Sequence, residues 1–250
     1  MPRPRYTSLK RIKRQIAAGD LECAYQALLG KHDALLMTLR HTRSPEERIE
    51  VKYRLTLVET KLAVTASLKG EHDAADDWFR RAREHFMAFD PVTHERMDRE
   101  EAAHLIRKGE VYDALDLFSG AERAFRTILR FRKSSLPETR VELEHAITLS
   151  CKAEAELLLN PHSIEARTML EQAQATLRTG NKRRYELDNL MRLITFAGLF
   201  ERRRALYIAR ATWINETVVH NPVIRLTLLD AACGPFPVKS LAQHMGIARD

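Results

Sequence analysis

The chain has 250 residues, 44% hydrophobic and 30% charged, with 41 Lys and Arg against 34 Asp and Glu for a net charge of +7. This is the composition of a globular chain rather than a membrane-spanning one, because no apolar run approaches the ~18–20 residues a spanning helix needs. The basic balance admits nucleic acid, an anionic membrane or an acidic protein as partner and selects none of them.

Length alone allows one large domain or two small ones, at about 100–200 residues each. With 9 Gly and 9 Pro the chain has few breakers, which predicts long helices and few hairpins of strand. Residues 1–5, with two prolines and two arginines, are expected to be a basic disordered N-terminus. No apolar segment follows the basic start, so it is not read as a secretory signal. From Tyr6, apolar Leu9, Ile12, Ile16 and Ala17 recur at helical spacing, and Gly19-Asp20 breaks the helix. Leu21, Ala24, Tyr25 and Leu28 start another helix, with Gly30 as a possible interruption before residues 31–41.

Ser44-Pro45-Glu46-Glu47 is a helix start: a capping hydroxyl, a proline tolerated in the first turn, and two acids facing the positive end of the dipole. Periodicity then runs through Val51, Leu55, Val58, Leu62 and Ala66 to about Leu68. Gly70 turns the chain into a helix over 71–88 carrying Ala75, Trp78, Phe79 and Ala82. Asp90-Pro91 opens the next pair, with helices over about 94–107 and 110–133, a turn at Gly109 and a break or kink at Gly120. Pro137 opens a helix over about 138–159, Asn160-Pro161 ends it, and a helix over about 163–178 follows. Gly180 leads into helices over about 182–197 and 199–219. Residues 221–250 are expected to be C-terminal capping helices, broken at Cys233-Gly234-Pro235-Phe236-Pro237. No alternating run bounded by turn dipeptides reads as a strand, so the fold class is all-α.

Pro45, Pro91 and Pro137 each open a helix, at a spacing of 46 residues. A fixed period of about 20–50 residues marks stacked repeats, here antiparallel helix pairs that need neighbours to bury their apolar faces. Ala63, Ala66, Gly70, Ala75, Phe79, Ala82 and Pro91 follow the order of small residues, glycine turn, Ala-bulky-Ala and proline that the tetratricopeptide repeat uses. Weaker copies stand at Gly109, Ala114 and Phe118, at Ala166, Leu170 and Ala173, and at Gly19, Ala24 and Leu28. The chain therefore resembles a degenerate tetratricopeptide (TPR)-like protein over residues 6–220. It departs from that family in its longer period and in having Glu59 where the family places a large aromatic. The resemblance implies a right-handed superhelical stack, an α-solenoid whose groove binds proteins or peptides.

Motifs for chemistry are missing. No G-x-x-x-x-G-K-[ST], G-x-G-x-x-G or G-x-S-x-G occurs. His94-Glu95 is followed by Arg96, Met97 and Asp98, so it is not HExxH, and the histidines read as surface or capping residues. Acidic neighbours such as Asp76-Asp77 diverge by ~100° on a helix and cannot converge on one substrate. The chain is read as a non-enzyme with no cofactor and no metal. Cys23, Cys151 and Cys233 form no CxxC and read as reduced thiols of a cytoplasmic protein.

The leading expectation is a scaffold or adaptor whose first helices, about 48–69, 94–107 and 138–159, line a groove. Its exposed polar candidates are Lys52, Arg54, Lys61, Arg99, Arg107 and Lys152, suited to an acidic partner segment. The alternative is a regulatory protein that binds DNA or RNA through the basic N-terminus (Lys10, Arg11, Lys13, Arg14) and the arginine-rich 178–210 region. There Arg203, Tyr207 and Arg210 fall on one stripe, opposite or beside Leu206, Ala209 and Trp213, where Arg could hold phosphates and Tyr could stack a base. Residues 238–247 resemble the first helix and turn of a helix-turn-helix DNA reader, without the recognition helix. Oligomeric state is left open.

Overall fold

The computed structural model describes residues 20–86, 91–131, 136–178, 183–196 and 201–220, with isolated positions outside these ranges. Side chains at 184, 185, 188, 191, 192, 195, 196 and 201–203 are not among those described. The expected N-terminal tail, the 221–250 capping helices, the segment resembling a helix-turn-helix reader, and Lys10, Arg11, Lys13 and Arg14 lie outside the described residues. Ile12 is helical and buried. All regular structure among the described residues is helical, and none of these helices is long and apolar enough to cross a membrane.

The helices are α1 Leu21–His41, α2 Pro45–Lys69, α3 His72–His85, α4 Pro91–Lys108, α5 Val111–Phe131, α6 Glu138–Leu159, α7 Ile164–Arg178, α8 Arg183–Phe196 and α9 Glu201–Ile214. A π turn, Asn215–Val219, follows α9. Pro45 and Pro91 are first residues of their helices and Pro137 caps α6, so the three prolines act as the sequence predicts. Ser44 accepts a bond from the Glu47 amide at 3.4 Å, closing the start of α2.

Gly70 and Gly109 have φ of 81° and 95°. At each, the glycine amide bonds the carbonyl three residues back and the next amide bonds the one five back: Gly70 to Ser67 and Glu71 to Ala66, Gly109 to Ile106 and Glu110 to Leu105. This is the Schellman closure, which needs a left-handed residue and so favours glycine. These turns are 39 residues apart, so the 46-residue spacing of the prolines does not extend to the hairpin turns.

Two expected breaks are absent. Gly30 lies inside α1 and Gly120 inside α5, and both helices run through unbroken. A single glycine costs a helix about 1 kcal/mol, which packing along the rest of the helix outweighs. A Cβ added at either position meets nothing within 4 Å. Gly30→Ala and Gly120→Ala are therefore each expected to stabilise the fold by about 0.5–1 kcal/mol, read as a raised thermal midpoint. Gly70→Ala, also in open space but at positive φ, is expected to lower it.

The chain forms two compact units, divided between Phe89 and Asp90. In the first, α2 packs against both α1 and α3. In the second, α4–α5 and α6–α7 are helix pairs, α5 also packs on α6, and the first helices meet in order, α4 on α6 and α6 on α8. The second helices carry a repeated inward trio: Ala75, Phe79 and Ala82 in α3; Ala114, Phe118 and Ala121 in α5; Ala166, Leu170 and Ala173 in α7. All nine are buried. The alanines let a neighbouring helix approach closely and the larger residue fills the space between them.

Candidate functional site

Packing on both sides gives the first helices an unusual interior. α2 buries Thr56, Glu59, Thr60 and Thr65 beside Leu55, Leu62, Ala63 and Ala66. The threonines satisfy their hydroxyls within the helix, Thr60 on the Thr56 carbonyl and Thr65 on the Lys61 carbonyl, both at 2.7 Å. Glu59 has no exposed surface. His32 Nε2 of α1 lies 3.1 Å from its Oε1, and His85 Nδ1 of α3 lies 2.9 Å from its Oε2. Each imidazole shares a hydrogen bond with the Glu59 carboxylate. One carboxylate thus joins α1, α2 and α3. Trp78 stands edge-on to His32 at 5.1 Å and donates its indole N–H to the Tyr25 hydroxyl at 2.9 Å. The sequence flagged Glu59 as a departure from the repeat pattern but assigned it no partners. His32 and His85, expected at the surface or at caps, are its partners.

The second unit is built around ion pairs. Glu144 of α6 is buried, as is Arg99 of α4, whose Nη1 lies 2.9 Å from Oε2 of Glu144, and Arg96 holds the other oxygen. Burial alone would push the Glu144 carboxyl up; the charges and hydrogen bonds of Arg99 and Arg96 outweigh it and bring the pKa down to about 2. Lys152 Nζ lies 2.8 Å from Glu122 Oε2 and 3.8 Å from Glu156. Tyr207 donates to Glu154 Oε2 at 3.0 Å, and Asn189 donates to Ser150 Oγ at 3.0 Å. Glu186 draws three arginines: Arg210 at 2.9 Å, Arg183 at 3.0 Å and Arg178 at 3.5 Å. Arg210 and Arg183 also lie over the Trp213 ring, at 4.5 and 5.3 Å from its centroid.

The six cations proposed to meet an acidic partner therefore part company. Arg99 was expected on the surface and is only 3% exposed. It is inside because α4 is covered by both α5 and α6. Lys152 is engaged with Glu122. Lys52, Lys61 and Arg107 are half-buried. Arg54 is exposed, paired only with Glu50 one turn back at 2.8 Å. It borders a groove between α1 and α2 lined by Lys31, Ala34, Leu35, Thr38, Leu57 and Val58.

In the expected stripe on α9, Tyr207 does not face solvent. Tyr207 is 7% exposed and faces inward with Ala211 and Ile214, so its ring has no open face for a base. Leu206 and Trp213 point outward at 68% and 45% exposure, with Ala209 exposed between them. The amphipathic Tyr buries its ring and spends its hydroxyl on Glu154, while the indole of Trp213 is covered by guanidinium rather than by core. The Arg203 side chain lies outside the described residues. Of the cysteines, Cys151 is a buried thiol, Cys23 is exposed, and Cys233 lies outside the described residues.

A further cluster lies at the start of α4, where donor atoms of His94, Glu95 and Asp98 all fall within 4.8 Å of one another. It is the set among the described residues with the spacing to hold a metal ion. Family models, curated proteins and solved structures offer no match to this chain.

Proposed function

We propose that this chain is a non-enzymatic scaffold of tetratricopeptide-like helix pairs, and that the groove between α1 and α2 binds an acidic, partly apolar segment of another protein. The observation that carries the reading is the lining of that groove. Leu35, Leu57 and Val58 offer apolar surface, and Lys31 and Arg54 stand beside them. An amphipathic helix lays its apolar face into such a groove, and cations at the rim fix its register and raise its association rate. The recurring alanine–bulky–alanine trios and glycine closures support a scaffold, since they serve packing between helices.

Affinity capture with the full chain, with and without nuclease, tests this against K31E/R54E. Arg54 is exposed and Lys31 half-buried at the groove, so both substitutions should leave the helical signal unchanged. The expected result is a set of protein partners that survives nuclease and is lost in K31E/R54E. Identical capture by the two proteins rejects the groove.

A second reading, binding of DNA or RNA, is favoured by one observation. Three arginines around Glu186 leave excess positive charge beside the exposed ring of Trp213. Arginines beside a partly exposed aromatic ring are the groups with which single strands are held, by phosphate contact and by stacking. Affinity for a generic single strand falling steeply as salt rises, and weakened in W213A, is the expected outcome for that reading. No binding at low salt removes it.

A further inference from the structure

The sequence H-E-R-M-D at 94–98 fails the zinc-protease pattern only at its last position, where Asp98 replaces the second histidine. On a helix, residues four apart share a face, so His94 and Asp98 are stacked one turn apart. Glu95 is long enough to reach back beside them. His94 Nδ1 lies 3.4 Å from Glu95 Oε1 and 3.4 Å from Asp98 Oδ2.

Both separations exceed the ~2.7–3.2 Å of an N–H···O hydrogen bond. They match the edge between two ligands of one small ion. Bonds of about 2.1 Å at tetrahedral angles hold donor atoms ~3.4 Å apart. Glu95 and Asp98 are 7% and 9% exposed, so two carboxylates share a largely dry site where a dication is favoured. The His94 side chain is 37% exposed, which leaves an open side for entry and for water as a fourth ligand. Arg96 and Arg99 of this helix reach Glu144 on α6. One imidazole and two carboxylates are borderline-to-hard donors, suited to Zn²⁺ or Mn²⁺ rather than to a soft ion.

We propose that His94, Glu95 and Asp98 form a binding site for a divalent first-row metal ion, with an open coordination position facing solvent. This site is independent of the groove between α1 and α2 and stands or falls separately.

The full chain, stripped with a chelator, is titrated with Zn²⁺ by calorimetry. One saturable equivalent with a Kd of about 10 µM or tighter is expected. His94→Ala and Asp98→Asn are each expected to weaken binding by at least about tenfold. His162→Ala, at an exposed histidine elsewhere, leaves it unchanged. In the unsubstituted chain, Zn²⁺ shifts the His94 imidazole resonance and not that of His162, a readout that does not depend on a variant folding. No saturable binding by about 1 mM Zn²⁺, equal binding by the variants, or a shift confined to other histidines overturns the proposal.

Discussion

Glu144→Ala is expected to destabilise the second unit by about 3–5 kcal/mol at neutral pH, measured by urea unfolding. The loss comes from what remains. Arg99 keeps a side chain only 4% exposed, with Glu100 at 3.7 Å still beside it, while the charge that faced it is gone. Arg96, with a third of its side chain in solvent, can turn to water. R99M/E144M should cost far less, because it removes both buried charges together.

The same pair sets an acid limit. The Glu144 carboxyl is about 2 in the folded chain against an ordinary 4.5. Its folded value is depressed, so its contribution is fully present above pH 4.5 and is lost as pH falls through 2. The difference corresponds to about 3 kcal/mol. The stability gap between the unsubstituted chain and E144A should therefore be constant from pH 7 to about 5 and should shrink below that. A gap that persists unchanged at pH 2–3 contradicts the ion-pair account.

Phe118→Ala should cost about 3–5 kcal/mol. Phe118 is fully buried, in one cluster with Ala102, Ala103, Ile106, Ala146 and Ile147 of the two helices that flank α5. Those neighbours are mostly short, so they cannot reach in to fill the space a benzyl group leaves. Phe118→Leu keeps most of the volume and should lose less than half as much. Equal losses for the two would mean the site is loosely packed, contrary to the role given to the alanine–bulky–alanine trio.

Much of the helical plan was legible because its signals are local. The proline starts, the glycine turns and the 3.6-residue apolar period placed α2, α6 and α7 within a residue or two of their bounds. Gly30 and Gly120 misled because an isolated glycine in a helix and one at a helix end look alike along the chain. The polar interior was not legible. His32, Glu59 and His85 are 27 and 26 residues apart, and only the packing of three helices brings them together. The α9 stripe was read as polar-outward because Arg and Tyr usually face water. Burial of Tyr207, whose hydroxyl meets Glu154 53 residues earlier in the chain, takes that residue out of it. The spacing of His94 and Asp98, one turn apart on a helix, was within reach of sequence reasoning.

The chain has two tryptophans, and the division between Phe89 and Asp90 gives one to each compact unit. Trp78 is 9% exposed and touches His32 edge-on; Trp213 is 45% exposed under two guanidinium groups. Their emission is expected to differ in colour, bluer from the enclosed indole and redder from the more exposed one. The protein thus carries an intrinsic optical label on each half, and loss of order in either can be timed separately without attaching a dye.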